Sequence, residues 1–326
     1  MKTPKVKGLG RALKRILLLW AYLTFCGDNM ELKQIAENVH YIPHVTNIGV
    51  IKSGEAAVLI DSGVDDDTGR RIMRLLESQH LQLKAIINTH FHADHCGGNA
   101  YLKNKTGAVI YASEVEADFI QHPYLQPFCL FSGANPPVEL QNKLVMATPS
   151  KVDYIIKNEE KTLDVGGIRV EIVRLPGHSP NQIGVKINDV VFSADAVFSE
   201  DILNKHKLPY LVNVEKQKET LNCLKALNTK LLVPSHGEPA NDPVPMVDAY
   251  EKIINDVEGY LLDMLKEEKT TEQAMKSLCD RHDVEVGKVN QYFLMHTITL
   301  AYLSCLRNKG QLVLAFRDNI LYWRKQ

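Results

Sequence analysis

A chain of 326 residues with 45% hydrophobic and 24% charged side chains is long enough for a large core and ordinary in composition for a soluble globular protein. Its formal net charge of −1 excludes global steering toward nucleic acid or a membrane surface, so any such partner must meet a local patch. The six cysteines are scattered without a C-x-x-C pair, which argues against a disulfide framework and for reduced thiols in a cytoplasmic protein.

Residues 1–29 stand apart from the rest. Lys2, Lys5, Lys7, Arg11, Lys14 and Arg15 precede an apolar run from Ile16 to Phe25, the charge-then-hydrophobic order of a signal peptide. That run falls short of the roughly 20 residues a membrane span requires. Bulky Phe25 also makes a poor cleavage site ahead of Cys26. The preferred reading is an N-terminal extension outside the fold, with Met30 as the working start, and the other is a membrane-targeting segment. No stable membrane partner is expected.

From Val39 short apolar strands alternate with amphipathic helices. "NIGVIKSG" and "EAAVLIDSG" read as a hairpin turning through Ser53-Gly54. "DTGRRIMRLLESQ" places Ile72, Leu75 and Leu76 on one helical face. Then come "LKAIINTH", "AVIYAS", "IRVEIVRLPGH", "DVVFSADAVF" and "KLLVPSHGE", β-rich runs of which all but "AVIYAS" end in or run into a histidine or aspartate. Buried strands that end on one edge of a sheet can bring such residues to a common point.

The alternation breaks between residues 113 and 156. That stretch carries Tyr124, Phe128, Phe131 and several prolines with no clean period, the texture of a lid-like insertion or of a surface excursion packed on its own aromatics. Beyond Pro245 the pattern turns helical. Val247, Tyr250, Ile254, Val257 and Leu261 recur at helical spacing, Thr270 and Gln273 form a cap-like pair, and a third helix stops at Gly310. "QLVLAFRDNILYWRKQ" reads as a hairpin across Arg317-Asp318-Asn319, so residues 246–326 are expected to form a helical, winged-helix-like module behind a domain of residues 30–245.

Chemistry concentrates in "NTHFHADHCGGN", residues 88–99. His90 and His92 are two apart, so on an extended strand end they face one way, as one metal requires. Asp94 and His95 come where the chain turns toward Gly97-Gly98 and can address a second ion. Downstream lie His178 in "LPGHSPNQIGV", Asp195 in "FSADAVF" and His236 in "VPSHGEP". Five imidazoles and two carboxylates suit zinc or a similar divalent ion, and seven ligands are too many for one tetrahedral metal.

These motifs, spread over about residues 33–240, resemble those of the metallo-β-lactamase superfamily. The resemblance implies an α/β fold, a four-layer αββα sandwich with its metals at one sheet edge. It implies that His90, His92 and His178 bind a first Zn2+, that Asp94, His95 and His236 bind a second, and that Asp195 bridges the two. Asp61 in "VLIDSG" matches a position that supports the site. Iron or manganese is compatible with the same donors. An aspartate bridge resembles the thioesterase, lactonase and nuclease branches, glyoxalase-II-like and β-lactamase-like-2-like, rather than true β-lactamases, which use cysteine or serine near that position. His92 stands where flavo-diiron oxidoreductases have a glutamate, so redox chemistry is disfavoured.

Two ions roughly 3.5–4 Å apart can share a hydroxide formed near neutral pH. The expected activity is therefore hydrolysis of a small ester, thioester or lactone by a metal-bridging hydroxide, with Asp94 orienting the nucleophile and relaying a proton. The alternative is an endoribonuclease-type phosphodiesterase whose C-terminal module binds RNA through Lys288, Arg307, Lys309, Arg317, Arg324 and Lys325. A small-molecule substrate is favoured over nucleic acid, and a homodimer is compatible with the sequence.

Overall fold

The computed structural model describes residues 30–326. The readings made of residues 1–29, and of Cys26 among them, lie outside the described residues. Strands β1 (Lys33–Ala36), β2 (Val39–Ile42), β3 (Ile48–Ser53), β4 (Ala56–Ile60), β5 (Gln82–Ile87), β6 (Val109–Ser113) and β7 (Tyr154–Ile156) form one sheet in that order. A second sheet has the order β12-β11-β10-β9-β8, from β8 (Thr162–Val165), β9 (Ile168–Arg174), β10 (Ile183–Ile187), β11 (Val190–Ala194) and β12 (Leu231–Pro234). The expected hairpin is β3–β4, turning at Gly54 with φ +59°.

Strand alternation explains the layering. In β4, Val58 and Ile60 face the other sheet while Ala57 and Leu59 face the helices outside. In β11, Val190 and Phe192 face the first sheet while Val191 faces outward. A residue period of two on a buried strand thus feeds two separate apolar interfaces. Helices α1 (Asp66–Ser78), α2 (Ala93–Cys96) and α3 (Asn99–Thr106) belong with the first sheet, where Ile72, Leu76 and Leu102 join its outer core. Helices α4 (Glu114–Gln121) and α5 (Leu125–Leu130) lie in the irregular stretch. On the far side, α6 (Glu200–His206) and α7 (Val214–Ala226) cover the second sheet through Leu203, Leu221 and Leu224. The result is the αββα sandwich that the sequence led one to expect.

The C-terminal region contains α8 (Val244–Met264), α9 (Thr271–Arg281), α10 (Val289–Asn308) and the hairpin β13 (Leu312–Arg317)–β14 (Ile320–Lys325). All five periodic residues of α8 are buried, in one apolar cluster that also holds Leu221, Leu232 and Leu303. Each such fully buried side chain contributes roughly 1.5–3 kcal/mol, so this region is fastened to the second sheet by its own core. Thr270 and Gln273 form a reciprocal capping box at the start of α9. The hairpin turns at Asp318 and Asn319, both at positive φ, as a two-residue turn requires.

Sequence periodicity did not reveal α4 and α5, because Pro123, Pro127, Pro136 and Pro137 cut the stretch into pieces too short to show a period. Phe131 packs edge-on against Phe293 of α10, with ring centroids 5.1 Å apart. That contact anchors the insertion on the C-terminal region and leaves Tyr124 and Phe128 among its half-exposed rings, 40% and 36% accessible.

Candidate metal centre

The strand directions carry all seven predicted ligands to one edge. β4 and β5 are parallel, as are β11 and β12, and β9 runs the same way as β11 because β10 is antiparallel to both. Asp61 follows β4, His90 and His92 follow β5, His178 follows β9, Asp195 follows β11 and His236 follows β12. Asp94 and His95 sit on the single turn of α2, where the sequence suggested only a bend. That turn is held close to the loop after β4. A Cβ on Gly97 would lie 2.0 Å from the Val64 carbonyl oxygen, and one on Gly98 would lie 2.3 Å from that of Ser62. Only glycine permits this approach.

The donor atoms fall into two groups joined by Asp195. His92 Nδ1 lies 3.0 Å from His90 Nε2 and 2.9 Å from His178 Nε2. Asp195 Oδ2 lies 3.5 Å from His178 Nε2. In the second group, Asp94 Oδ2 is 3.3 Å from His236 Nε2 and 3.6 Å from His95 Nε2. Asp195 closes it, 3.4 Å from His95 through Oδ1 and 3.5 Å from His236 through Oδ2. Two ligands on one tetrahedral ion at zinc–nitrogen distance are about 3.3–3.5 Å apart, so most of these spacings suit shared ions. His95 Nε2 and Asp195 Oδ1 are buried without a hydrogen-bond partner, although they lie near each other. Buried polar atoms left in this state are what a cation between them would satisfy. The residues fit a divalent-metal centre.

The ring nitrogens that face away from the cluster are fixed by the surrounding chain. His95 Nδ1 donates to Asp61 Oδ2 at 2.8 Å, His178 Nδ1 to the Tyr210 carbonyl at 2.9 Å, and His236 Nδ1 to the Val45 carbonyl at 2.8 Å. Thr89 Oγ1 donates to Asp61 at 2.8 Å and so accepts from His90 Nδ1 at 3.1 Å. These bonds set the tautomers and leave Nε2 of His90, His95, His178 and His236 as the ligand atoms.

Electrostatics separates the two groups. Burial, reinforced by neighbouring imidazoles, holds His90 far below the ordinary imidazole range and lowers His92 to about 3. His178 is lowered by burial as well. These rings are neutral at physiological pH, as ligands must be. Burial also opposes charge on His95 and His236, but the surrounding carboxylates outweigh it. Asp94, Asp195 and Asp61 raise His95 well above its ordinary value, and Asp195 with Asp94 raises His236 to about 10. Burial disfavours the charged form of Asp94 and Asp195 too, yet the nearby imidazolium rings hold both carboxyls far below their usual range.

Two braces escaped the sequence reading. Val45, Thr46 and Asn47 cradle the second group. Val45 takes the His236 bond, Thr46 Oγ1 donates to Asp94 Oδ2 at 3.1 Å, and Asn47 Nδ2 donates to the Pro234 and Gly237 carbonyls. No spacing in the sequence flags them. Buried Glu116 of α4 accepts from Phe91 N and from Ser179 and Asn181. Its signal was present, since Glu116 shares the buried face of its helix with Ala117 and Ile120.

Residues 41–236 match the family model described as the metallo-beta-lactamase superfamily. A beta-lactamase-like protein 2 homolog of Drosophila melanogaster is 24% identical over 222 residues, 67% of this chain and 67% of its own length. A hydroxyacylglutathione hydrolase of Haemophilus influenzae is 28% identical over 193 residues, 59% of this chain and 78% of its own length. Among solved structures, a metallo-beta-lactamase family protein of Thermus thermophilus superposes with a TM-score of 0.70 at 19% identity, covering 90% of this chain and 100% of that one.

Proposed function

The chain belongs to the metallo-β-lactamase superfamily, and from that premise we propose that it is a dinuclear zinc hydrolase of a small ester, thioester or lactone. The observation that carries this reading is the convergence of seven donors in two groups that share Asp195. When bound, two divalent ions would supply a hydroxide near neutral pH and draw charge from the acyl oxygen. His90, His92 and His178 with Asp195 would hold one ion, and Asp94, His95 and His236 with Asp195 the other.

The two carboxylates have different surroundings and so different roles. Asp195 is 7% exposed in its side chain and walled in by three histidines, which suits a fixed bridge. The Asp94 side chain is 32% exposed, and one of its oxygens is steadied by Thr46. Asp94 is thus the carboxylate able to reach a substrate's leaving group and pass it a proton. Tyr210 stands edge-on to both His92 and His178, with ring centroids 5.6 Å from each. The insertion lies close by, with Cys129 of α5 among the groups that, after burial, raise the Tyr210 phenol.

Its half-exposed rings Tyr124 and Phe128 suit an acyl chain better than a phosphate backbone. The similarity to a hydroxyacylglutathione hydrolase supports the same substrate class. The nuclease alternative loses ground because three of its six basic residues are engaged: Arg317 and Arg324 both meet Glu268, and Lys309 meets Glu258. Purified zinc-loaded protein assayed in parallel on acyl thioesters, lactones and structured RNA tests the ranking. Turnover of RNA at enzyme-like rates, falling steeply with salt, would reverse it.

A further inference from the structure

We propose that Glu116 is a positioning residue that sets the spacing between His92 and His178, by bracing with one carboxylate the two loops that carry them. The inference rests on the reading of His90, His92 and His178 as ligands of one ion. Glu116 is fully buried. Its Oε2 accepts the Phe91 N–H at 3.0 Å, and Phe91 lies between His90 and His92. Its Oε1 accepts the Ser179 hydroxyl at 2.8 Å and the Asn181 N–H at 2.7 Å, and Ser179 follows His178 directly. One turn further along α4, Phe119 stacks on the Phe91 ring with centroids 4.2 Å apart. The helix therefore grips the first histidine loop twice, and the Glu116 side chain reaches from there to the second.

Partner chemistry explains the residue type. All three groups donate, so the brace needs an acceptor at both ends. A glutamine would keep one acceptor and turn an amide N–H₂ toward a donor at the other. Glutamate also carries a burial cost, visible in a carboxyl pushed up to about 7 by desolvation despite three hydrogen bonds. A site that only filled core space would be better served by leucine or methionine. The second group has its own brace in Val45, Thr46 and Asn47, so damage to Glu116 should fall on one ion only.

Zinc titration of the full chain against a chromophoric chelator tests this. Unaltered protein should take up two ions. Glu116→Gln should weaken one of them by about tenfold, the low end of what losing a bond made directly to a ligand costs, because Glu116 acts through the residues beside the ligands, and leave the other unchanged. In a chain already carrying His92→Ala, adding Glu116→Gln should leave the affinity for the remaining ion unchanged. Ser179→Ala, which keeps the carboxylate, should weaken the same ion by less, and it decides the matter should Glu116→Gln fail to fold. A protein that takes up no metal would remove the metal reading itself. Two ions bound, with both affinities unchanged in Glu116→Gln or lowered alike with the melting temperature, would overturn the Glu116 assignment alone. An unchanged Ser179→Ala titration, where only that variant folds, would overturn it equally.

Discussion

Asp61 and His95, both buried, meet through a 2.8 Å hydrogen bond from His95 Nδ1 to Asp61 Oδ2, which leaves Nε2 as the ring nitrogen His95 can offer a metal. Asp61 also accepts from Thr89 N and Thr89 Oγ1, so it fixes the start of the ligand loop as well as one ligand's tautomer. Its backbone is left-handed, φ +65°, a conformation that asparagine, like aspartate, adopts more readily than other residues with a side chain. Asp61→Asn is therefore the clean substitution. It should keep the fold and reduce affinity for the second ion by about 10–100-fold. Equal metal affinity in the two proteins by competitive titration would show that Asp61 serves only the loop.

Asp94 is expected to act on the leaving group. Asp94→Asn should lower kcat most for alkyl esters, whose alkoxide needs a proton, and least for thioesters and aryl esters, whose leaving groups depart as anions. A leaving-group series measured on metal-replete variant and wild type would reveal the difference. A uniform loss across the series would assign Asp94 to metal binding alone.

Metal uptake should release protons, and the two groups should differ. His92, lowered to about 3, and His90, held far below its ordinary value, are already neutral near pH 7, and burial moves His178 in the same direction. His95 and His236 are charged there, the latter up to about 10. Loading the second group must displace roughly one to two protons, and its affinity should rise with pH. The stability of the fold without metal runs the other way. Because His236 is raised above its ordinary 6.5, its contribution to the metal-free fold is complete below that value and lost as pH climbs through about 10. Calorimetric titration in buffers of differing ionisation heat counts the protons. Release by neither ion, or equally by both, would contradict the assignment of charge.

Phe128 should matter for long substrates. If its half-exposed ring covers an acyl chain, Phe128→Ala should reduce kcat/KM for long-chain substrates by about tenfold or more, from the roughly 1.5–3 kcal/mol of a buried apolar side chain, and spare acetyl-sized ones. An equal effect at all chain lengths would place the ring outside the substrate cleft.

Much of this architecture was readable in advance because buried strands and metal ligands leave strong local signatures. The runs "LKAIINTH" and "DVVFSADAVF" announce both a strand and what stands at its end, and the spacing of His90, His92, Asp94 and His95 admits few explanations besides a metal. The supports were harder to see. Thr46 and Asn47 act through single hydrogen bonds to residues far along the chain, which no periodicity encodes. The two helices of the insertion are short and proline-divided, and their stability comes from contacts such as Phe119 on Phe91 and Phe131 on Phe293. Glu116 lay between these cases, an acid on an apolar helical face whose reason appears only once both histidine loops are in place.

Metal content of freshly purified protein, set beside that of Asp195→Ala, tests the dinuclear reading most directly. The Asp195 carboxylate lies within 3.5 Å of donors from both groups. Removing it takes a ligand from each ion and leaves two cations poorly screened from one another. The expected result is close to two divalent ions per chain in the wild type, with occupancy and hydrolytic rate falling together in the variant. One ion per chain, with full activity retained after Asp195→Ala, would contradict it.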